Sequence, residues 1–340
     1  MKKRLKLPDE LGILGVLLLI VIVMSVLSSS FRSPGNLTVL LENGTVVAFL
    51  ALGQTFVLLT GGIDLSVGSN IALTGMLAAL AMNAGLPWWA AVIVAIIAGV
   101  GIGLFNGLAV HYVKLPPFIV TFATFGITAS IPKILTNAQS VNVADPMFAV
   151  IGRGSMLGIP TPVWMLLVAL IICVFVLHRT PYGVQLYALG GNEETSRLAG
   201  INIARIKIST YVISGVCAAI GGLITTSRLM VGYPSAGSGN EQFYSIASAV
   251  VGGVSLFGGV GTVLGAFIGS ILIATVSNGM NVLGVQSFWQ PLVIGVIILV
   301  GVALDGYRRS GGGVAKKGIL SKAPAGDSNS PSMDSKGPSD

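Results

Sequence analysis

The stretch FVLLTGGIDLSVGSNIAL, residues 56–73, sets a carboxylate, hydroxyls and an amide inside a long apolar run. Asp64 is the sole Asp, Glu, Lys or Arg between Glu42 and Lys114, and Ser66 and Asn70 follow it closely. A charged side chain at mid-membrane costs about 2.5–3.5 kcal/mol on insertion scales, so such residues face a bundle interior or a watery cavity. Three kinds of chemistry fit. Gly61 and Gly62 break one helix, and Asp64 or Ser66 then accepts the free N–H groups of the next. The same carboxylate could instead touch a polar solute, or carry a proton or Na⁺ across.

Two more constellations carry chemistry. In KLPPFIVTFATFGI, residues 114–127, Pro116 and Pro117 suit the first turn of a helix. Thr121, Thr124 and Phe125 then recur at spacings of three and four on one face. Hydroxyls beside an aromatic ring would line a sugar passage, bonding its hydroxyls and stacking on its C–H faces; ordinary interhelical packing uses the same residues. In YALGGNEETSRLAGINIARIK, residues 187–207, Asn192, Glu193 or Thr195 could cap a short helix that Gly200 ends. A compact polar helix between spans is something a soluble motor subunit could grip; a plain connecting loop is the other reading.

Other candidates are weaker. His111 and His178 sit near expected helix ends, where polar residues snorkel. Glu241 reads as a cap or interface residue, and Cys173 and Cys217, each in an apolar run, as small packing residues. No G-x-x-x-x-G-K-[ST] phosphate loop occurs, since GGGVAKKG does not match it, and no H-E-x-x-H or G-x-S-x-G motif appears. Nothing marks an enzyme, a metal site or a cofactor.

The elements that must position these residues follow from composition. Of 340 residues, 53% are hydrophobic and only 9% charged, with a mean hydropathy of +0.88. Soluble domains carry about 25% charged residues, so this chain is expected to be an integral membrane protein. Its 46 glycines fit membrane helices whose backbones approach closely. Spans of roughly 20 apolar residues are expected at 11–28, 45–61, 66–84, 87–110, 117–135, 162–178, 206–227, 242–256, 261–281 and 287–304. The expectation is an all-α polytopic membrane helix bundle of about ten transmembrane helices, covering residues 1–310. A disordered cytoplasmic tail, rich in Ser, Pro, Gly, Lys and Asp, is expected over 311–340.

Sidedness follows from Lys and Arg. With both termini cytoplasmic, all of them except Arg32, Lys133, Arg153 and Arg228 fall on the cytoplasmic side. The formal charge of +7 therefore reports topology, and no basic stripe interleaved with aromatics suggests nucleic acid. One internal echo stands out. GGIDLSVGS, residues 61–69, resembles GGVSLFGGV, residues 252–260, and duplicated Gly-interrupted segments point to a transporter's central site.

GQTFVLLTGGIDLSVGS, PPFIVTFATFG, YALGGNEETSRLAGI and ASAVVGGVSLFGGVGT resemble, in order and spacing, successive signatures of the carbohydrate-type ABC importer permeases, the group of the ribose, xylose and arabinose permeases. The resemblance covers residues 11–305. It implies a multi-pass subunit of the bacterial inner membrane that pairs with a second permease, identical or paralogous. A periplasmic binding protein would deliver a monosaccharide or similar small polar solute, and separate ATP-binding subunits would drive transport. Asp64, Ser66, Asn70, Thr121, Thr124 and Phe125 would then line the solute pathway. Gly190, Asn192, Glu193, Arg197 and Gly200 would form the loop that docks the ATPase. Where the family pattern resembles GYELDAIA this chain reads GNEQFYSIA, and the solute stays open. Two rivals stand beside this reading: a secondary transporter with Asp64 in H⁺ or Na⁺ coupling, and a membrane-embedded enzyme acting on a lipid-linked sugar.

Overall fold

The computed structural model describes residues 9–312. Its helices are α1 (Asp9–Leu27), α2 (Pro34–Leu59), α3 (Val67–Asn83), α4 (Trp88–His111), α5 (Pro117–Thr136), α6 (Pro146–Arg153) and α7 (Thr161–Arg179). They continue as α8 (Pro181–Gly191), α9 (Glu193–Leu198), α10 (Ile203–Leu229), α11 (Glu241–Val251), α12 (Val263–Val282) and α13 (Trp289–Gly312). The sheet among the described residues is limited to two two-residue ladders, Val141–Asn142 with Val231–Gly232 and Ser155–Met156 with Ile159–Pro160. This is an all-α polytopic bundle. Six helices (α2, α4, α5, α7, α10 and α12) are long and apolar enough to cross a membrane, and Leu11–Leu27, Val67–Asn83 and Trp289–Ala303 are shorter apolar helices.

Burial sorts these helices into a centre and a rim. Every residue of α2 from Ala48 to Leu59 is buried, which an α-helix apolar on all faces requires. At the rim, Leu18, Leu19 and Ile22 of α1 and Phe118, Ile119 and Phe122 of α5 are more than half exposed, as lipid-facing residues should be. The second central helix, α10, packs on α4, α2 and α3. Small residues allow it: a Cβ on Gly103 would run into the Tyr211 carbonyl, and one on Gly215 into the Gly99 carbonyl. Without a hydrophobic drive between helices in lipid, such close backbone packing is a main source of cohesion.

One expected span is built differently. Residues 242–256 do not form a full crossing; α11 is an 11-residue helix, about 16 Å long against a hydrocarbon core of about 30 Å. The rest of that passage is non-helical. After α10 the chain runs along α3, with Gly232 against Ala79 and Met76 and Gly237 against Gly68 and Ile71. From Ala79 to Gly68 it therefore follows α3 for about 16 Å into the bundle. The small residues of VGYPSAGSGN (231–240) let it enter among the helices, where irregular backbone is tolerated only when packed by protein or lining a cavity. The expected tail lies, past residue 312, outside the described residues.

Candidate functional site

Asp64 sits in the non-helical link between α2 and α3 and is 1% exposed. The link begins where α2 ends, at Gly61, whose φ of 75° suits glycine. One carboxylate oxygen of Asp64 accepts from the Ser66 backbone N–H (2.9 Å) and the Ser66 hydroxyl (2.6 Å). The other accepts from the Ser214 hydroxyl of α10 at 2.7 Å. Gln54 of α2, its amide oriented to satisfy both groups, donates to the Asp64 carbonyl at 3.0 Å and accepts from its N–H at 3.2 Å. The carboxylate is thus enclosed by donors from the link and from α10, which is how a buried carboxylate is tolerated, while α2 holds its backbone.

The network continues outward from Ser66. Asn106 of α4 donates to the Ser66 hydroxyl at 2.9 Å, and the Thr124 hydroxyl of α5 donates to Asn106 Oδ1 at 2.7 Å. Thr121 donates to the Ile63 carbonyl at 3.1 Å, and Ser69 pairs with Thr128 at 2.6 Å. Helix break, α4, α5 and α10 are therefore tied by side-chain bonds at one level. Asp64, Ser66, Thr121 and Thr124 come together here, all at 0–1% exposure. Phe125 turns away from them. It is half-buried and stacks on Phe122, 6.4 Å between ring centroids, in a ladder with Phe118. Asn70 is buried on α3 with both amide atoms unpartnered among the described residues. Sequence reasoning missed Gln54, Asn106, Ser214 and Thr128. For the two amides the signal was the one that exposed Asp64, a polar side chain inside an apolar run.

At one end of the bundle α8 and α9 lie between α7 and α10. Asn192 caps α9, its side chain accepting from the Thr195 N–H at 2.9 Å. Glu193 bonds Lys207 at 2.7 Å and Arg197 at 3.4 Å, and Gly200 closes the turn with φ 77°. Val184 and Leu198 project outward, 70% and 84% exposed. The five residues singled out in sequence occupy this one surface and the joint behind it.

That joint is the second key feature. Gly190 is pressed against the Leu59 carbonyl and the backbone of Gly259, with no room for a Cβ. Gly259 in turn donates to the Leu59 carbonyl at 2.9 Å, and the Tyr187 hydroxyl donates to the Gly261 carbonyl at 2.7 Å. The two echoing glycine segments, 61–69 and 252–260, also meet, Gly258 packing against the Gly61 backbone, and α8 sits on the second of them and on Leu59, just before the first. The described residues hold no cluster of three or more His, Cys, Asp or Glu suited to a metal.

A polytopic bundle with a hydrogen-bonded helix break at its centre fits a membrane transport component, since transporters build their central sites at such broken helices. Residues 36–302 match the family model described as branched-chain amino acid transport system / permease component, and the chain belongs to that family. It is similar to the ribose import permease protein RbsC of Bacillus subtilis (strain 168), 40% identical over 299 residues, covering 87% of this chain and 92% of that one. The ribose import permease protein RbsC of Escherichia coli (strain K12) is 39% identical over 308 residues, 89% of this chain and 95% of its own. The D-allose transport system permease protein AlsC of Escherichia coli (strain K12) is 38% identical, over 87% of this chain and 91% of its own. No solved structure matches the chain. The protein is a permease component of an ABC importer, a transport subunit and not an enzyme. These relatives favour neither rival reading.

Proposed function

We propose that this permease forms the translocation pathway for a monosaccharide or similar small polar solute, in the inner membrane, with both termini cytoplasmic. A periplasmic binding protein delivers the solute, a second permease subunit completes the path, and ATP-binding subunits dock on α8 and α9. The choice of solute class rests on relatives named for ribose and D-allose import. The observation that carries the mechanism is the seat of Gly190 on Leu59 and Gly259. A shift of α8 driven from the ATPase side reaches the second glycine segment directly and the end of α2 at Leu59. From Leu59 it reaches the 60–66 link, whose geometry Asp64, Ser66, Gln54 and Ser214 hold. In this reading Asp64, Ser66, Asn70, Thr121 and Thr124 shape the pathway by fixing its helix break.

The test is reconstitution of the permease with its ATPase and binding protein in proteoliposomes. Uptake of labelled D-ribose, D-allose or L-arabinose should require ATP and stop with vanadate. Uptake that ignores ATP would overturn the proposal.

A further inference from the structure

A second polar site lies away from Asp64, where α2, α10, α11 and α12 diverge. A cavity of about 250 Å³ opens there, lined among others by Asn43, Arg228, Glu241, Tyr244, Ser277 and Asn281. The Ser277 hydroxyl oxygen is buried and has no hydrogen-bond partner among the described residues. Buried polar atoms are normally satisfied, so an orphan at a cavity wall marks a place where a ligand or water supplies the bond. The amides around it are braced. Asn281 accepts from Gln290 at 2.7 Å, and Asn278 exchanges two bonds with Asn36 at 3.0 and 2.9 Å.

Charge narrows the ligand. Arg228 donates to Asn43 Oδ1 at 2.8 Å and lies 3.9 Å from Glu42, so its positive charge is already paired. Glu241 adds a second carboxylate, which accepts from the Gly239 N–H at 2.8 Å. One cation against two carboxylates disfavours anions, while amide, hydroxyl and carboxylate groups suit the hydroxyls of a neutral polyol. The floor is also connected to the centre. Gly237 and Glu241 belong to the segment entering beside α3, and Gly237 packs against the Gly68 carbonyl in the first turn after Asp64's link.

We infer that this cavity is a binding site for a neutral polyhydroxylated solute, held by the orphan Ser277 hydroxyl and the Asn43 and Asn281 amides, and that its floor moves with the first turn of α3. The inference rests on the import reading for its choice of sugars.

The test uses the full chain in membrane vesicles, with Cys173 and Cys217 replaced by Ala and Thr225→Cys, at the cavity wall but not among the groups that hold the solute, as reporter; Tyr244→Cys on α11 is the second reporter. The rate of modification by a methanethiosulfonate reagent is measured with D-ribose, D-allose or L-arabinose, and with the anion D-gluconate as control. A bound sugar should slow labelling at both reporters by a factor of 1 + [sugar]/Kd, about tenfold at ten times Kd, and gluconate should not. Ser277→Ala in the Thr225→Cys background should weaken this protection about five- to tenfold, the worth of one hydrogen bond. Protection without ATP-dependent uptake would uphold the cavity and sink the import reading. Sustained uptake of a sugar that protects neither reporter, or equal protection by gluconate, would overturn the cavity.

Discussion

Gly190 of α8 and Leu59 at the end of α2 meet backbone to backbone, with Gly259 closing the third side of the contact. Each of the three belongs to a different part of the chain: α8, the end of α2 just before the first glycine segment, and that segment's echo. Backbone cannot swing aside as a flexible side chain can, so the contact is stiff.

The first prediction follows. Gly190→Val places a branched side chain into the Leu59 carbonyl and the Gly259 backbone, and should destabilise the protein by about 1–3 kcal/mol or more, the usual cost of overpacking. Gly191, its neighbour, faces open space, so Gly191→Ala should behave as wild type. Thermal unfolding of the purified proteins compares them. Equal stability of the two variants would contradict the packed joint.

Gln54 gives a second. Replacing it with Leu removes both bonds to the Asp64 backbone and leaves a buried N–H and carbonyl unpaired, each worth about 1–3 kcal/mol. Gln54→Leu should lower the Tm clearly. A Tm unchanged in Gln54→Leu would show that the clamp is not made.

Charge reversal at the α9 surface tests docking. Glu193→Lys faces Lys207 and Arg197, and Arg197→Glu is 64% exposed at the side chain. The Arg197–Glu193 pair is exposed and such pairs contribute only about 0–1 kcal/mol, so Arg197→Glu should accumulate normally in the membrane; Glu193→Lys also breaks the part-buried pair with Lys207, and its activities are normalised to protein in the membrane. Pull-down of the ATPase subunit and ATP-dependent uptake should both fall. Survival of both activities would remove the docking assignment.

Sidedness is tested with cysteines at Ser140, Ser155 and Thr195, all exposed positions. An impermeant thiol reagent applied to intact cells should label the first two and spare the third. Labelling of Thr195 from outside would overturn the proposed orientation.

Much of this site could be read before any coordinates. A lone carboxylate in an apolar run has few physical explanations, and the capping pattern around Asn192 is local, so residues near in sequence suffice to place it. The Thr121 and Thr124 spacing likewise predicts a shared buried face. What stayed hidden was tertiary. Ser214 reaches Asp64 from 150 residues away, and no local pattern announces that pairing. Phe125 leaves the threonine face because one residue turns a helix by about 100°. The half-helix α11 escaped because hydropathy averages over a window and cannot tell a span from a short helix followed by packed glycines.

Asp64 supplies the most direct measurement. Its carboxylate accepts three bonds, from Ser66 N–H, Ser66 Oγ and Ser214 Oγ. Asn keeps one acceptor oxygen, and the Ser214 hydroxyl can turn to accept from the new amide; Leu leaves all three donors unanswered. ATP-dependent sugar uptake, normalised to protein in the membrane and repeated with a proton ionophore, separates a structural carboxylate from a titrating one. The account predicts that Asp64→Asn keeps most of the uptake, insensitive to ionophore, while Asp64→Leu loses it. Equal and complete loss in both variants at normal protein levels would contradict it and revive proton coupling.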